Sequence, residues 1–261
     1  MTSANTSSKA IPSHIHVQDV SLNFQLFRQK STSMKEVFSG LFKKNSYQKL
    51  TEFHALDHLS VKIGHGERVG IVGHNGAGKS TLLKTLCRIY EPTAGRIDVQ
   101  GKVAPLLEIG AGFSPELSGR QNIYLNGAIL GCSIKTLKSV EQDIIDFAEL
   151  EPFIDTPVKY YSTGMYMRLA FAIATAIRPD ILILDELFAG ADDDFIRKAR
   201  IRMQSFIDSA SIMVFVSHDM VLLAELSTRV IWLDHGRLVA DGDPQTIIAQ
   251  YLQHALAESE S

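Results

Sequence analysis

The stretch Gly73-His74-Asn75-Gly76-Ala77-Gly78-Lys79-Ser80 decides how this chain is read. Glycines at this spacing let successive backbone N–H groups turn inward around a polyphosphate. Lys79 is then placed to reach the β- and γ-phosphates, and the Ser80 hydroxyl to bind Mg²⁺. The flanks agree. Arg68-Val69-Gly70-Ile71-Val72 enters as a strand, and Thr81-Leu82-Leu83-Lys84-Thr85-Leu86 leaves as a helix whose N-terminal dipole favours an anion. The loop implies a nucleoside triphosphate without saying what its energy is used for.

Two strand ends downstream supply matching chemistry. Ile181-Leu182-Ile183-Leu184 runs into Asp185-Glu186. A carboxylate at the tip of a buried strand can join the Mg²⁺ shell beside Ser80, and Glu186 is then positioned to polarise an attacking water. Val214-Phe215-Val216-Ser217-His218-Asp219 ends a further strand on an imidazole able to hydrogen-bond at the γ-phosphate. A lone acidic turn or a lone histidine is more often structural; the company of the phosphate loop favours the catalytic reading.

Tyr160-Tyr161-Ser162-Thr163-Gly164-Met165 precedes a helix running from Tyr166 to Ile177. Ser162 and Gly164 ahead of a helix start read in two ways. Ser162 is an ordinary N-cap, or the segment is a second anion site. With one phosphate loop per chain, the second reading needs two chains head to tail, each completing the other's triphosphate site.

The remaining composition is that of an ordinary globular protein: 261 residues, 45% hydrophobic and 21% charged, with a net charge of −3. That charge gives no reason to expect a nucleic-acid partner, which needs clustered Lys and Arg. Cys87 and Cys132 have no metal-ligand spacing and read as two thiols of a reducing, cytosolic compartment. The longest apolar stretch, Leu169 to Ile177, is broken by Thr175 and closed by Arg178-Pro179, well short of the about 20 residues that span a bilayer.

Along the chain, residues 1–13 read as a disordered leader. Alternation predicts strands over Ile15–Phe24 and Leu56–Ile63, with strands again from Gly95 to Glu108 and a turn at Gln100-Gly101. Residues 28–49 carry six basic side chains (Arg28, Lys30, Lys35, Lys43, Lys44, Lys49) against the single acid Glu36. Within them Met34, Val37, Phe38, Leu41 and Phe42 follow the amphipathic helix period. This basic insertion either packs on its own domain or faces anionic lipid headgroups or a membrane partner. Helical patterns dominate about 110–178, and a helix with an acidic tail fills 241–261.

The order of motifs, phosphate loop (Gly73 to Ser80), Ser162-Thr163-Gly164-Met165, Ile181 to Asp185 with Glu186, then His218, resembles the ATP-binding cassette (ABC) transporter ATPases over nearly all of 14–240. The Tyr-Ser-x-Gly-Met form of the signature resembles the branch that exports polysaccharides and teichoic acids. So do Leu106 to Phe113, Pro115 to Arg120 with Asn122, and Arg168 to Ala172. The resemblance implies an α/β fold: a P-loop core with an antiparallel β subdomain and an inserted α-helical subdomain. It implies ATP and Mg²⁺ as ligands, with Gly73 to Thr81 on the phosphates and Ser80 and Asp185 at the metal. It implies a homodimer in which Ser162, Thr163, Gly164 and Met165 act in trans, Glu108 stands where relatives carry a glutamine, and Asp192 falls at the dimer-seam loop. Phe24 matches the adenine-stacking aromatic, with Phe27 as fallback and Phe53 competing. The 28–49 insertion matches the branch's extra helix, which favours its membrane-proximal reading.

The function so implied is ATP hydrolysis that powers export of a lipid-linked polysaccharide through a separate integral membrane permease, from the cytoplasmic face of the inner membrane. The runner-up is a soluble ABC ATPase of translation or DNA repair; the two cassettes or long coiled coil usual in those proteins are not visible. A small-molecule kinase would leave the signature segment and His218 unused.

Overall fold

In the computed structural model, residues 12–26, 51–107, 109–185 and 193–259 are described. The bulk of the leader, the basic insertion, Phe27, Glu108, Glu186 and Asp192 lie outside them. Strands whose residues are buried on both sides form the centre, because each face is covered by a different layer. Ile181 and Ile183 of β6 (Ile181–Asp185) join Val214 and Val216 of β7 (Ile212–Val216) in one core; Leu182, Leu184, Met213 and Phe215 point into another.

These strands belong to a six-stranded sheet in the order β5-β6-β7-β3-β8-β9. β5 (Val103–Leu106), β6, β7, β3 (Arg68–Val72) and β8 (Arg229–Asp234) run parallel; β9 (Arg237–Gly242) returns antiparallel to β8. A second sheet, β2-β1-β4, is antiparallel and is made of β1 (His14–Leu26), β2 (Thr51–Ile63) and β4 (Ala94–Gln100). Between the sheets lies α1 (Lys79–Leu86), whose Leu82, Leu83 and Leu86 share a core with Ile15, Leu56 and Leu59. On the opposite face pack α5 (Asp193–Ser209), α6 (Met220–Leu226) and α7 (Pro244–Ser259).

Three differences from the sequence reading have physical causes. β1 and β2 are longer than alternation predicts, because cross-strand pairing carries on through Phe24–Phe53 to Leu26–Thr51 after the pattern fades. The turn at Gln100-Gly101 carries the chain from one sheet to the other. Gly101 (φ 130°) sits against Asp180, whose carboxylate accepts the Lys102 N–H at 2.8 Å. The boundary expected at residue 240 falls inside β9, and α7 belongs to the same body: its Ile247 and Ile248 are buried and its Tyr251 meets the Trp232 ring edge-on. Burial pushes the Cys87 thiol up to about 12, so it stays protonated.

The helical block is α2 (Gly119–Ile129), α3 (Ile134–Ala148) and α4 (Thr163–Ala174), around a core that includes Ile123, Ile144, Ile145, Leu169 and Ile173. The apolar run at Leu169 is thereby explained: α4 buries Phe171 toward the sheet and Leu169 toward the block. Asn122, with no exposed surface, ties the preceding loop to α2. Its Nδ2 donates to the carbonyls of Ser114, Leu117 and Ser118, and its Oδ1 accepts the Ser114 N–H at 2.8 Å. Truncating it strands several buried polar groups, each worth about 1–3 kcal/mol. Asn122→Ala is therefore expected to lower stability by about 2 kcal/mol or more, read as a reduced urea midpoint with unchanged slope.

Candidate nucleotide-binding site

The phosphate loop leaves β3 in the middle of the sheet and re-enters the fold as α1. Its glycines do different work. A Cβ on Gly73 would strike the Leu233 carbonyl, and one on Gly78 (φ 101°) would lie 2.6 Å from the Ala55 carbonyl oxygen. Gly76 (φ 89°) has no atom within 4 Å of where its Cβ would stand, so it opens the loop outward while the other two press it onto the protein. Ala77 is fully buried beneath it.

Lys79 is only 9% exposed, and its Nζ donates to the carbonyls of Gly73 (2.7 Å) and His74 (2.9 Å). The amine is thus held across the loop mouth. α1 begins at Gly78 in the left-handed region with no side-chain cap, so its first N–H groups have no intrahelical acceptor and face outward with the positive end of the dipole. A buried ammonium, uncapped amides and an open glycine cradle fit a polyphosphate.

The remaining groups converge on the same place. A cavity of about 250 Å³ lies at the C-terminal edge of the parallel strands, where open α/β sheets bind ligands. Asn75, Gly76, Gly78, Lys79, Ser80 and Thr81 form its floor; Asp185 from β6, Val216 from β7 and His218 just beyond it close one side. Asp219 fixes that side by capping α6, its Oδ1 accepting the N–H groups of Val221 (2.9 Å) and Leu222 (3.1 Å). Ser80 and Asp185 lining one cavity are a hydroxyl and a carboxylate suited to a hard divalent cation. A larger hollow, about 460 Å³, lies beside the N-terminal end of β5 and is walled largely by apolar side chains such as Leu130, Leu137 and Ile144; it lacks this donor set.

The other side is Phe53 and Ala55 of β2. Phe24, expected as the stacking aromatic, instead packs edge-on against Tyr90 (centroids 5.3 Å apart) at the margin of the core. Phe53, its register partner across the strands, is 48% exposed and lines the cavity. The alternation ended at Leu56, so only the unforeseen extension of β2 brings Phe53 and Ala55 to the site.

The signature segment stands apart from its own chain's loop. Ser162 caps α4, its Oγ accepting the Met165 N–H at 3.2 Å. Ser162, Thr163 and Gly164 are exposed, Met165 half-buried, and none of them lines the cavity. Glu186, Glu108, Asp192 and Phe27 lie outside the described residues.

A contact absent from the sequence reading joins the loop to the β8–β9 turn. His74 Nε2 lies 2.8 Å from Asp234 Oδ1, and His235 Nδ1 is 3.0 Å from the same oxygen. Burial works against ionisation of Asp234, yet the hydrogen bond and charge from His235 hold its carboxyl below the usual range. The Gly236 N–H also donates to the Ala77 carbonyl at 2.9 Å.

Fold and cavity together define a P-loop nucleotide-binding protein with an inserted helical block. Residues 56–189 match the family described as ABC transporter. The chain is 40% identical over 95% of its length to the O-antigen export system ATP-binding protein RfbB of Myxococcus xanthus, spanning 57% of that relative. It is 41% identical over 84% of its length to the O-antigen export system ATP-binding protein RfbE of Yersinia enterocolitica, spanning 93% of it. A solved ATP-binding subunit of an ABC transporter shares the fold, with a TM-score of 0.66 at 21% identity, over 95% of this chain and 99% of that one. This chain belongs to the ABC transporter family.

Because a side chain at Gly76 meets open space and a strained φ, Gly76→Ala should cost about 1–2 kcal/mol of stability while its methyl intrudes on the cradle. Expected is at least about tenfold weaker ATP binding by fluorescent-nucleotide titration, with only a small shift in melting temperature.

Proposed function

We propose that this chain is the ATP-hydrolysing subunit of a transporter that exports a lipid-linked polysaccharide, of O-antigen or capsule type, through a separate integral membrane permease. The observation that carries the reading is the division of the site. One chain assembles phosphate loop, Asp185 and His218 around one cavity, and presents the Ser162 segment to solvent on a helix start. Two copies arranged head to tail would each complete the other's site. The export substrate rests on the printed functions of the relatives, some of them longer than this chain.

In this reading Gly73 to Thr81 would hold the phosphates, with Lys79 reaching toward the β- and γ-groups, and Ser80 and Asp185 would hold Mg²⁺ through water. Glu186, one residue beyond Asp185, takes the proton of the attacking water, and His218 orients that water at the γ-phosphate. Glu108 reaches water near the metal, and Asp192 lies at the dimer seam. Phe53 supplies the stacking surface for the base. Ser162 to Met165 of the second copy approach the γ-phosphate with their helix start. The subunit sits peripherally at the cytoplasmic face of the inner membrane; among the described residues no helix is long and apolar enough to cross it.

Glu186→Gln is expected to bind ATP normally, to lose at least about 100-fold in turnover, and to accumulate as an ATP-dependent dimer on size exclusion. Normal turnover by that variant would remove Glu186 as the base. In cells, Lys79→Ala should leave the glycan inside while the wild-type subunit co-purifies with an integral membrane protein; a wild-type subunit with no membrane association overturns the export reading.

A further inference from the structure

We infer that His74, Asp234 and His235 form a binding site for a borderline divalent metal ion of the zinc class, clamping the phosphate loop to the β8–β9 turn. One ligand atom from each residue falls within 4.8 Å of the others. The tautomer of His74 supplies the argument. Its Nδ1 is 2.7 Å from the Asn75 carbonyl oxygen, which can only accept, so Nδ1 carries the proton. In the neutral ring Nε2 then holds a lone pair.

That lone pair is buried, without a hydrogen-bond partner, and 2.8 Å from the Asp234 carboxylate. Two acceptor atoms at this separation repel unless a cation lies between or beside them. A second ring proton would serve only if it were aligned with Asp234, and the contact does not meet hydrogen-bond geometry. An ion on the Nε2 lone pair takes the carboxylate from the side, so Asp234 need not lie on the line of that lone pair. Histidine ligands characteristically donate their other ring N–H to a carbonyl, as His74 does to Asn75.

The second imidazole comes from an unfavourable place. His235 (φ 45°) and Gly236 (φ 78°) form the two-residue turn between β8 and β9, where Asn-Gly would be the relaxed choice. It nevertheless places its Nδ1 3.0 Å from Asp234 Oδ1. Two imidazoles and one carboxylate leave an open coordination position and favour zinc over magnesium, which prefers oxygen ligands. Tetrahedral ligands at zinc lie roughly 3.3 Å apart, a closure within reach of a χ rotation of the exposed His235 ring.

The clamp would act on the loop through its backbone. The His74 carbonyl receives the Lys79 amine and the Ala77 N–H, and the Gly236 N–H holds Ala77 from the other side. The test uses nucleotide-free, full-length protein titrated with Zn²⁺ against a chromogenic chelator, and with Co²⁺ for its visible absorption. Expected is a site at micromolar or tighter affinity, weakening as pH falls because protons compete for the ligand atoms. His235→Asn, which suits the turn, and Asp234→Ala should each weaken it at least about tenfold and remove the tetrahedral Co²⁺ band, with fluorescent-nucleotide binding as the check of fold. Amides of residues 73–78 should exchange more slowly with Zn²⁺ bound. Unchanged stoichiometry and affinity in His235→Asn, or loss only when His14 and His16 of β1 are replaced, would overturn the proposal.

Discussion

A helix whose first turn starts on a left-handed glycine, with no side chain to receive its N–H groups, is an unfinished element. The N–H groups of that first turn, without a side-chain cap, and the Lys79 ammonium stand together at the end of β3, where the positive end of the helix dipole favours an anion. The surrounding fold holds that unfinished end still. Leu233 and Ala55 crowd the glycines, the Gly236 N–H takes the Ala77 carbonyl, and the Asp57 N–H takes the Gly236 carbonyl at 3.0 Å. Two strands, one from each sheet, and the β8–β9 turn thus fix a loop that makes few contacts of its own outward.

The two-sheet arrangement follows from that need. Five parallel strands put Asp185, His218 and the loop at one level, because parallel pairing aligns like ends; β6 and β7 meet at Asp185 and Val216. Parallel strands alone leave the loop's outer side bare. The antiparallel sheet provides that wall, and its β2 is fastened to the parallel sheet by Arg229, whose guanidinium pairs with Asp241 and Glu67 and donates to the Lys62 carbonyl. Multidentate pairing of this kind fixes geometry more than it adds stability.

The parts of the fold that could be read from sequence are those where a local rule and the tertiary structure agree. The phosphate loop needs glycine at fixed places, and the buried strands need unbroken apolar runs, so β3, β6 and β7 and their terminal groups were legible. Phe53 was legible only as one of three competing aromatics, because its strand is extended by pairing rather than by pattern. Phe24 has the same chemistry and an equally aromatic context, and only packing against Tyr90 separates the two. The Asp234 contact with His74 joins residues 160 positions apart with no periodicity to announce it. Ser162 is legible as a helix cap, its Oγ accepting the Met165 N–H.

The loop after β5 and the start of α4 are stitched along their length. The Tyr166 hydroxyl donates to the Gly110 carbonyl at 2.8 Å, and the N–H groups of Val158 and Lys159 donate to Leu117 and Pro115 at 2.9 and 3.0 Å. Asn122 locks the same loop to α2. A force applied anywhere between residues 110 and 118 is therefore not absorbed by that loop. It passes to α2 and to the chain leading into Ser162, to which the loop is bonded.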